Sequence, residues 1–383
     1  MTPPANEPPE RPCAWLLSAY RADSHAAWAD WLVETFDEFD WRRLELPGRH
    51  FAWRIRGNPL SWLDELADGA VPDLLVATSM VDLATIRGLH PRLAGVSTLL
   101  YFHENQFAYP ASDAQTTSVE AQMVQLYSAL AADRVRFNSR YNLESLVDGI
   151  DELLARLPDG VPGNIGARIE RKSAVLPVPI RPIVRPIARP SVRPSAPAAG
   201  RDRRLIVWNH RWEHDRNPDL FAEAMLELAR RGCDFRLALL GPRPRSGPDA
   251  LELLRRELPD RIRVDAMLPD PEYRDLLAGA GIAVSTSRHE FQGLALLEAA
   301  SAGCIPLVPD DLCYPEIYPS EYRYPAGDRE ALVGRLAEWL DGAAPGPVDI
   351  ERWTAAHLEP AWRNVLLDEE VRFQEEMGRS RDA

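Results

Sequence analysis

No apolar run in this chain approaches the roughly 20 residues that a membrane-spanning helix needs, so no transmembrane segment is expected. Residues 1–12 are proline-rich and lack the apolar stretch of a signal segment; they read as a disordered lead-in. Cysteine is scarce. The four present, Cys13, Cys233, Cys304 and Cys313, show no metal-ligand spacing and lie in or beside apolar runs. They read as buried thiols in a reducing cytoplasm. Basic residues are outnumbered, 44 against 58 acidic, for a net charge of −14. That balance argues against indiscriminate nucleic-acid binding but leaves room for a local basic face.

What is present is ordinary globular material. Over 383 residues, 45% are hydrophobic and 27% charged, enough for two domains of about 150–200 residues, each burying its own core. The chain is organised around His289-Glu290-Phe291-Gln292-Gly293-Leu294-Ala295-Leu296-Leu297-Glu298-Ala299, in which seven residues separate two carboxylates. The run 282–287 before it reads as a buried strand, and 294–302 after it as a helix stopped by Gly303. Glu290 then falls on a strand-to-helix turn, Gly293 at the helix start, and Glu298 about one turn inside. A helix start offers free amides and a positive dipole end to phosphate. A carboxylate one turn further can reach ribose hydroxyls. A solvated surface helix would carry the same spacing; the flanking strands, including 304–309, favour a sugar–nucleotide site.

From the N-terminus, strands are expected at 13–18, 73–79, 97–102 and 134–137. Helices are expected at 26–36, 82–87, 119–131 and 141–148, the last capped by Asn138. The loop 20–25 ends in Asp23-Ser24-His25, a candidate substrate contact, although His25 equally suits a helix N-terminal surface. The stretch 41–56 holds Arg42, Arg43, Arg49, Arg54 and Arg56 with Trp41, Phe51 and Trp53 and a single glutamate. It is loop-prone, and this mixture suits single-stranded RNA; an ordinary surface loop is the alternative. His103-Glu104-Asn105-Gln106 bunch polar groups at the carboxyl end of a strand, where doubly wound sheets bind ligands. The proline–arginine repeat 177–200 reads as an extended linker. Strands at 204–208, 235–240 and 262–265, with helices at 219–231, 250–258 and 270–277, build a second doubly wound unit. In its first loop Arg211 and Arg216 could hold a diphosphate. Helices 330–340 and 353–376 end the chain.

Four runs carry a resemblance: Tyr101-Phe102-His103-Glu104-Asn105-Gln106, Arg211-Trp212-Glu213-His214-Asp215, His289-Glu290-Phe291 and Tyr314-Pro315-Glu316-Ile317. Together they make the sequence resemble the tRNA-queuosine α-mannosyltransferase family, from about Trp15 to Trp362 and excluding the linker. The resemblance implies two Rossmann-like α/β domains facing across a cleft, the GT-B arrangement. Residues 13–176 would take the acceptor, 201–350 the nucleotide sugar, and a helix at 351–378 would cross back to the first domain. It implies GDP-mannose as donor, queuosine-bearing tRNA as acceptor, a cytoplasmic site of action, and neither a metal nor an obligate protein partner. By position, Glu298 would bind ribose, Glu290 the donor sugar, and Arg211 and Arg216 the diphosphate. His103 would face the sugar. Gly293, Leu294, Phe291, Gln292, Ser24 and His25 would complete the donor site. Glu104, Asn105, Gln106 and the five arginines 42, 43, 49, 54 and 56 are assigned to the acceptor. Position 216 is Arg where relatives carry Lys, and loop 20–25 lacks the glycines they place before Ser-His. Two other readings stay open at this point: a related transferase acting on a lipid, glycan or small metabolite, and a tRNA-binding module without catalysis.

Overall fold

The computed structural model describes residues 11–109, 119–158, 160–183, 200–243 and 249–367. It divides into two compact units, one of residues up to Val178 plus those from Glu359 onward, the other Pro179–Leu358.

The first unit is a six-stranded parallel sheet. Its strands are β1 (Cys13–Arg21), β2 (Asp40–Pro47), β3 (Leu74–Thr78), β4 (Ser97–Phe102), β5 (Arg134–Phe137) and β6 (Ser173–Val175). The order is β2-β1-β3-β4-β5-β6. Helices α1 (Asp23–Thr35), α2 (Phe51–Ser61), α3 (Leu83–Leu89), α4 (Val119–Ala131), α5 (Arg140–Ala155) and α6 (Ile165–Glu170) join them. The central strands β3 and β4 are buried throughout apart from Ser97. Such near-continuous apolar runs are what a parallel sheet covered on both faces requires.

The second unit repeats the design with β7 (Asp202–Trp208), β8 (Arg236–Leu239), β9 (Ile262–Asp265), β10 (Ala280–Val284), β11 (Ile305–Pro309) and β12 (Arg323–Tyr324). Its helices are α7 (Pro218–Arg230), α8 (Asp249–Glu257), α9 (Asp270–Gly279), α10 (Leu294–Ser301), α11 (Tyr314–Ile317) and α12 (Arg329–Glu338). The order β12-β11-β10-β7-β8-β9 reverses direction between β7 and β10. At such a switch point the two carboxyl-end loops diverge and leave a crevice. Here those loops carry Arg211, Arg216 and Glu290.

Helix α13 (Ala355–Leu367) starts in the second unit and, from Glu359, belongs to the first. There Trp362 is buried against Trp28, Trp31 and Tyr101 at ring separations of 5.0–6.0 Å, and its indole donates to the Pro177 carbonyl at 3.0 Å.

Several expectations change. The stretch 41–56 is mostly β2 and the start of α2, with only residues 48–50 as loop between them. Helix α1 begins at Asp23, so Ser24 and His25 lie in its first turn. Ser139, not Asn138, caps α5 by accepting from the Asn142 amide at 3.0 Å. Residues 177–183 of the expected linker are packed: Ile180 bridges Thr354, and the Ile183 amide donates to Ser301 Oγ at 3.0 Å. The rest of that stretch, 184–199, and the tail of the last helix beyond 367 lie outside the described residues. All four cysteines are free. Among the described residues no helix is long and apolar enough to cross a membrane.

Candidate active site

In the second unit the turn after β10 is held from below. Ser285 Oγ lies 2.7 Å from Tyr314 Oη, and Tyr324 Oη donates to the Ser285 carbonyl at 2.9 Å. Gly293 then caps α10 in the left-handed region, with φ 67°. A Cβ there would come within 2.9 Å of the Tyr314 ring, so both conformation and space call for glycine. The Leu294 and Ala295 amides at the helix start have no acceptor within the helix. Phe291 and Gln292 are 4% and 2% exposed. Both side chains are buried, and the Phe291 amide donates to Glu290 at 3.1 Å.

The loop after β7 is pressed against this turn. Thr286 Oγ1 donates to the carbonyls of Arg216 and Asn217 at 3.0 and 2.9 Å, and the Arg288 amide donates to the Asp215 carbonyl at 2.8 Å. On the far side Gly241, with φ 87°, approaches so closely that a Cβ would lie 2.1 Å from the His210 carbonyl oxygen.

This packing makes a charge cluster. Asp215, fully buried, pairs with Arg211 and lies 3.8 Å from Arg216 Nη1 and 3.9 Å from His289 Nδ1. Arg216 also reaches Glu290 at 3.3 Å and donates to the His289 carbonyl. Arg211 further contacts Glu213 at 3.1 Å. Burial works to raise the Asp215 and Glu290 pKa values, and the neighbouring cations and donors outweigh it in both, leaving them lowered. The Glu290 carboxylate additionally accepts from the Phe291 amide at 3.1 Å and from the Gly293 amide. Both arginines are therefore paired with carboxylates in this cluster.

Glu298 has a different setting. Burial raises its pKa, opposed by the Tyr273 hydroxyl, which donates to Glu298 Oε2 at 3.0 Å. Asn209 Nδ2 donates to that hydroxyl at 3.2 Å and to the Ala295 carbonyl at 2.8 Å. Sequence reasoning missed Tyr273, which lies on α9 and belongs to no motif. It gave no role to Asn209 or His210 either. Asn209 Oδ1 and His210 Nε2 are buried without a partner among the described residues. Burial, aided by Arg216, lowers the His210 pKa to about 3, so its ring is neutral.

In the first unit His103 follows β4 and stacks on His25, with ring centroids 4.2 Å apart and planes at 25°. Trp28 and Tyr101 meet its ring edge-on at 4.8 and 4.7 Å. Burial lowers both histidine pKa values, and His25 lowers that of His103 further. His25 Nδ1 donates to the Tyr20 carbonyl at 2.8 Å, so His25 is a buried residue and not a surface one. His103 Nε2 is buried with no partner among the described residues. Ser24 is exposed.

Of the residues expected at the acceptor, Glu104 and Gln106 are part-exposed. Asn105 is fully buried; it donates to Asn142 and Ser145 and accepts from the Phe107 and Ala108 amides. Its amide is engaged by the fold on both its nitrogen and its oxygen. The arginine set also divides. Arg43 is tied to Asp30 at 2.7 Å and Glu45 at 2.8 Å. Arg42 covers Trp15 at 4.7 Å and donates to the Glu65 carbonyl at 2.6 Å. Arg56 pairs with Asp82 at 2.9 Å while staying half exposed. Arg49 is exposed and Arg54 partly so. Asp30 and Asp82 from outside the stretch, and Glu45 within it, thus neutralise part of its positive charge. Among the described residues no group of three or more His, Cys, Asp or Glu is placed to hold a metal.

Residues 13–180 match the family "tRNA-queuosine alpha-mannosyltransferase N-terminal", and residues 203–341 match "Glycosyl transferases group 1". The tRNA-queuosine alpha-mannosyltransferase of Drosophila melanogaster is 33% identical over 316 residues, covering 82% of this chain and 84% of that protein. Among solved structures, sucrose-phosphate synthase from Thermosynechococcus elongatus aligns with a TM-score of 0.65 at 13% identity, over 96% of this chain and 100% of that one. The lipopolysaccharide outer core galactosyltransferase WaaB aligns with a TM-score of 0.60 at 15% identity, over 93% and 99%. The chain spans just over half, 57%, of TarM, with a TM-score of 0.53 at 13% identity over 80% of its own length. These structural likenesses carry the GT-B fold of two Rossmann-like domains. The chain belongs to the tRNA-queuosine alpha-mannosyltransferase family.

Proposed function

We propose that this protein is a retaining glycosyltransferase that moves mannose from GDP-mannose to the cyclopentenediol of queuosine in tRNA, in the cytoplasm. The observation that carries the reading is the relation to the fly enzyme over 82% of the chain. The donor arrangement agrees with it, since Glu290 and Glu298 flank the helix start at Gly293 with two arginines beside them. Residues 201–350 take the donor and 13–176 the acceptor.

In this reading Glu298, oriented by Tyr273, accepts hydrogen bonds from the ribose hydroxyls. Glu290 accepts from hydroxyls of the mannose ring, and His103 is assigned to the sugar by the family relation alone. As the glycosidic C–O bond to phosphate breaks, negative charge grows on the diphosphate. Arg211 and Arg216 exchange their carboxylate partners for phosphate oxygens, and the Leu294 and Ala295 amides add donors at the positive end of α10. The acceptor oxygen attacks from the leaving-group face, and its proton passes to a phosphate oxygen. No metal is required for the charge to be met. Purified protein incubated with GDP-mannose and queuosine-bearing tRNA should convert queuosine to its mannosyl form, read by nucleoside mass spectrometry. Tests on a deletion strain should show queuosine unglycosylated. Mannosyl-queuosine persisting in that strain, with no transfer in vitro, overturns the assignment.

A further inference from the structure

Trp53 is 53% exposed on α2, an unusual place for an indole in a chain whose large aromatics are otherwise mostly buried. It is not a loose side chain. A Cβ built on Gly57, one turn further along, would lie 2.5–2.7 Å from Trp53 Cε2, Cζ2 and Cδ2. Cδ2 and Cε2 are the ring-fusion atoms and have no free edge, so Gly57 meets the indole through its face. The glycine leaves room for the ring to lie against its own helix, and the exposed half of the residue is turned to solvent. Gly57 itself is buried, and glycine inside a helix is less stable there than alanine. A position that gives up helix stability to seat an exposed ring suggests that the ring has a use.

The surroundings indicate the occupant. Residues 47–63 contain Arg49, Arg54 and Arg56 and not one acidic residue, within a chain of net charge −14; Asp82 from another element offsets Arg56, which leaves Arg49 and Arg54. A second copy of this chain docking through the same face would set these arginines against themselves. A polyanion that also offers flat apolar rings fits both features. We propose that Trp53 is a preorganised stacking platform for an unpaired base of the tRNA acceptor, with Arg49 and Arg54 meeting phosphates beside it. This rests on the tRNA acceptor reading above, and goes beyond it by assigning recognition of a base to a single residue. Base–aromatic stacking gains its strength from ring overlap and tolerates any base, so the platform adds affinity without choosing sequence.

The test compares wild type, Trp53→Ala, Trp53→Phe and Gly57→Ala for binding of labelled queuosine-bearing tRNA by anisotropy across a salt series, with GDP affinity by calorimetry alongside. Trp53→Ala should weaken tRNA binding about five- to hundred-fold, leave the salt slope unchanged because no charge is removed, and leave GDP affinity unchanged. Trp53→Phe should fall between. Gly57→Ala is the sharper variant: it should keep or raise the melting temperature while weakening tRNA binding, because the new methyl pushes the ring from its seat. If wild type transfers mannose to tRNA but the Trp53 and Gly57 variants bind tRNA like wild type, the platform is wrong and the acceptor reading stands. If wild type neither binds nor modifies tRNA, both are wrong. A wild-type dimer by light scattering that Trp53→Ala dissolves, with tRNA affinity unchanged, would reassign the face to self-association.

Discussion

Replacing Glu298 by glutamine should push stability and binding in opposite directions. The residue is partly buried, and the Tyr273 hydroxyl donates to its carboxylate at 3.0 Å. Burial leaves its pKa raised above the ordinary glutamate value of 4.5. The protonated form is therefore the easier one to fold: the stability this group supplies is complete below 4.5 and is lost as pH rises through the higher folded value. Glutamine keeps an oxygen for Tyr273 and carries no charge. Glu298→Gln should thus melt at a higher temperature than wild type at pH 8, and the gap should shrink as the pH is lowered towards 4.5. Nucleotide binding should move the other way. A ribose diol losing an ionised acceptor gives up about 1.5–3 kcal/mol, so GDP affinity measured by calorimetry should fall roughly ten- to hundred-fold. Wild type should prefer GDP to 2′-deoxy-GDP, and the variant should lose most of that preference. Tyr273→Phe should narrow it in part, since it frees the carboxylate to turn. Unchanged GDP affinity would sink the ribose assignment, and a lower melting point at pH 8 would show that the enclosed charge is not a burden on the fold.

Asp215→Asn removes the fully buried counter-ion of Arg211 and Arg216. Because Glu290 still holds Arg216, the loss should sit at the low end for a broken buried pair, about 3 kcal/mol by urea titration, with a raised KM for GDP-mannose. The stability Asp215 supplies is present above its ordinary value of 3.8 and is lost as pH falls through the lowered folded value, so the variant should show less acid sensitivity below that point. Turnover should survive EDTA, since arginines and helix amides are proposed to meet the leaving-group charge; loss of activity restored by magnesium or manganese would refute this. Removing Arg54 and Arg56 together should raise the KM for tRNA and flatten its salt dependence while sparing GDP affinity. The Arg56 share should be the smaller, because Asp82 at 2.9 Å already offsets that charge. Normal tRNA binding with lost GDP-mannose affinity would show the two faces assigned wrongly.

The β10–α10 turn was legible in the sequence because everything it needs is local. A strand run, Glu290, Gly293 and a helix carrying Glu298 fall in order along one short stretch, and the strands on either side give their spacing its meaning. The alternation of strands and helices likewise announced two parallel sheets. The same reasoning missed β2 and α2, since a stretch dense in arginine and aromatic residues reads as loop until neighbours cover it. Here β1 pairs along β2, and Leu44 and Ile55 enter the core. Which arginines remain available was decided largely by Asp30 and Asp82, carboxylates brought up by other elements, together with Glu45 on the same strand as Arg43. Asn105, polar and at a strand end, carried every sign of a contact residue, and only the approach of α5 shows its amide committed to Asn142 and Ser145. Tyr273 reaches Glu298 across 25 positions of sequence, and Asp215 gains its burial from the turn after β10. Hydrogen-bond partners, burial and the pKa shifts they cause depend on which loops the sheet order brings together at its switch point. Residue spacing does not encode that order; the packed structure does.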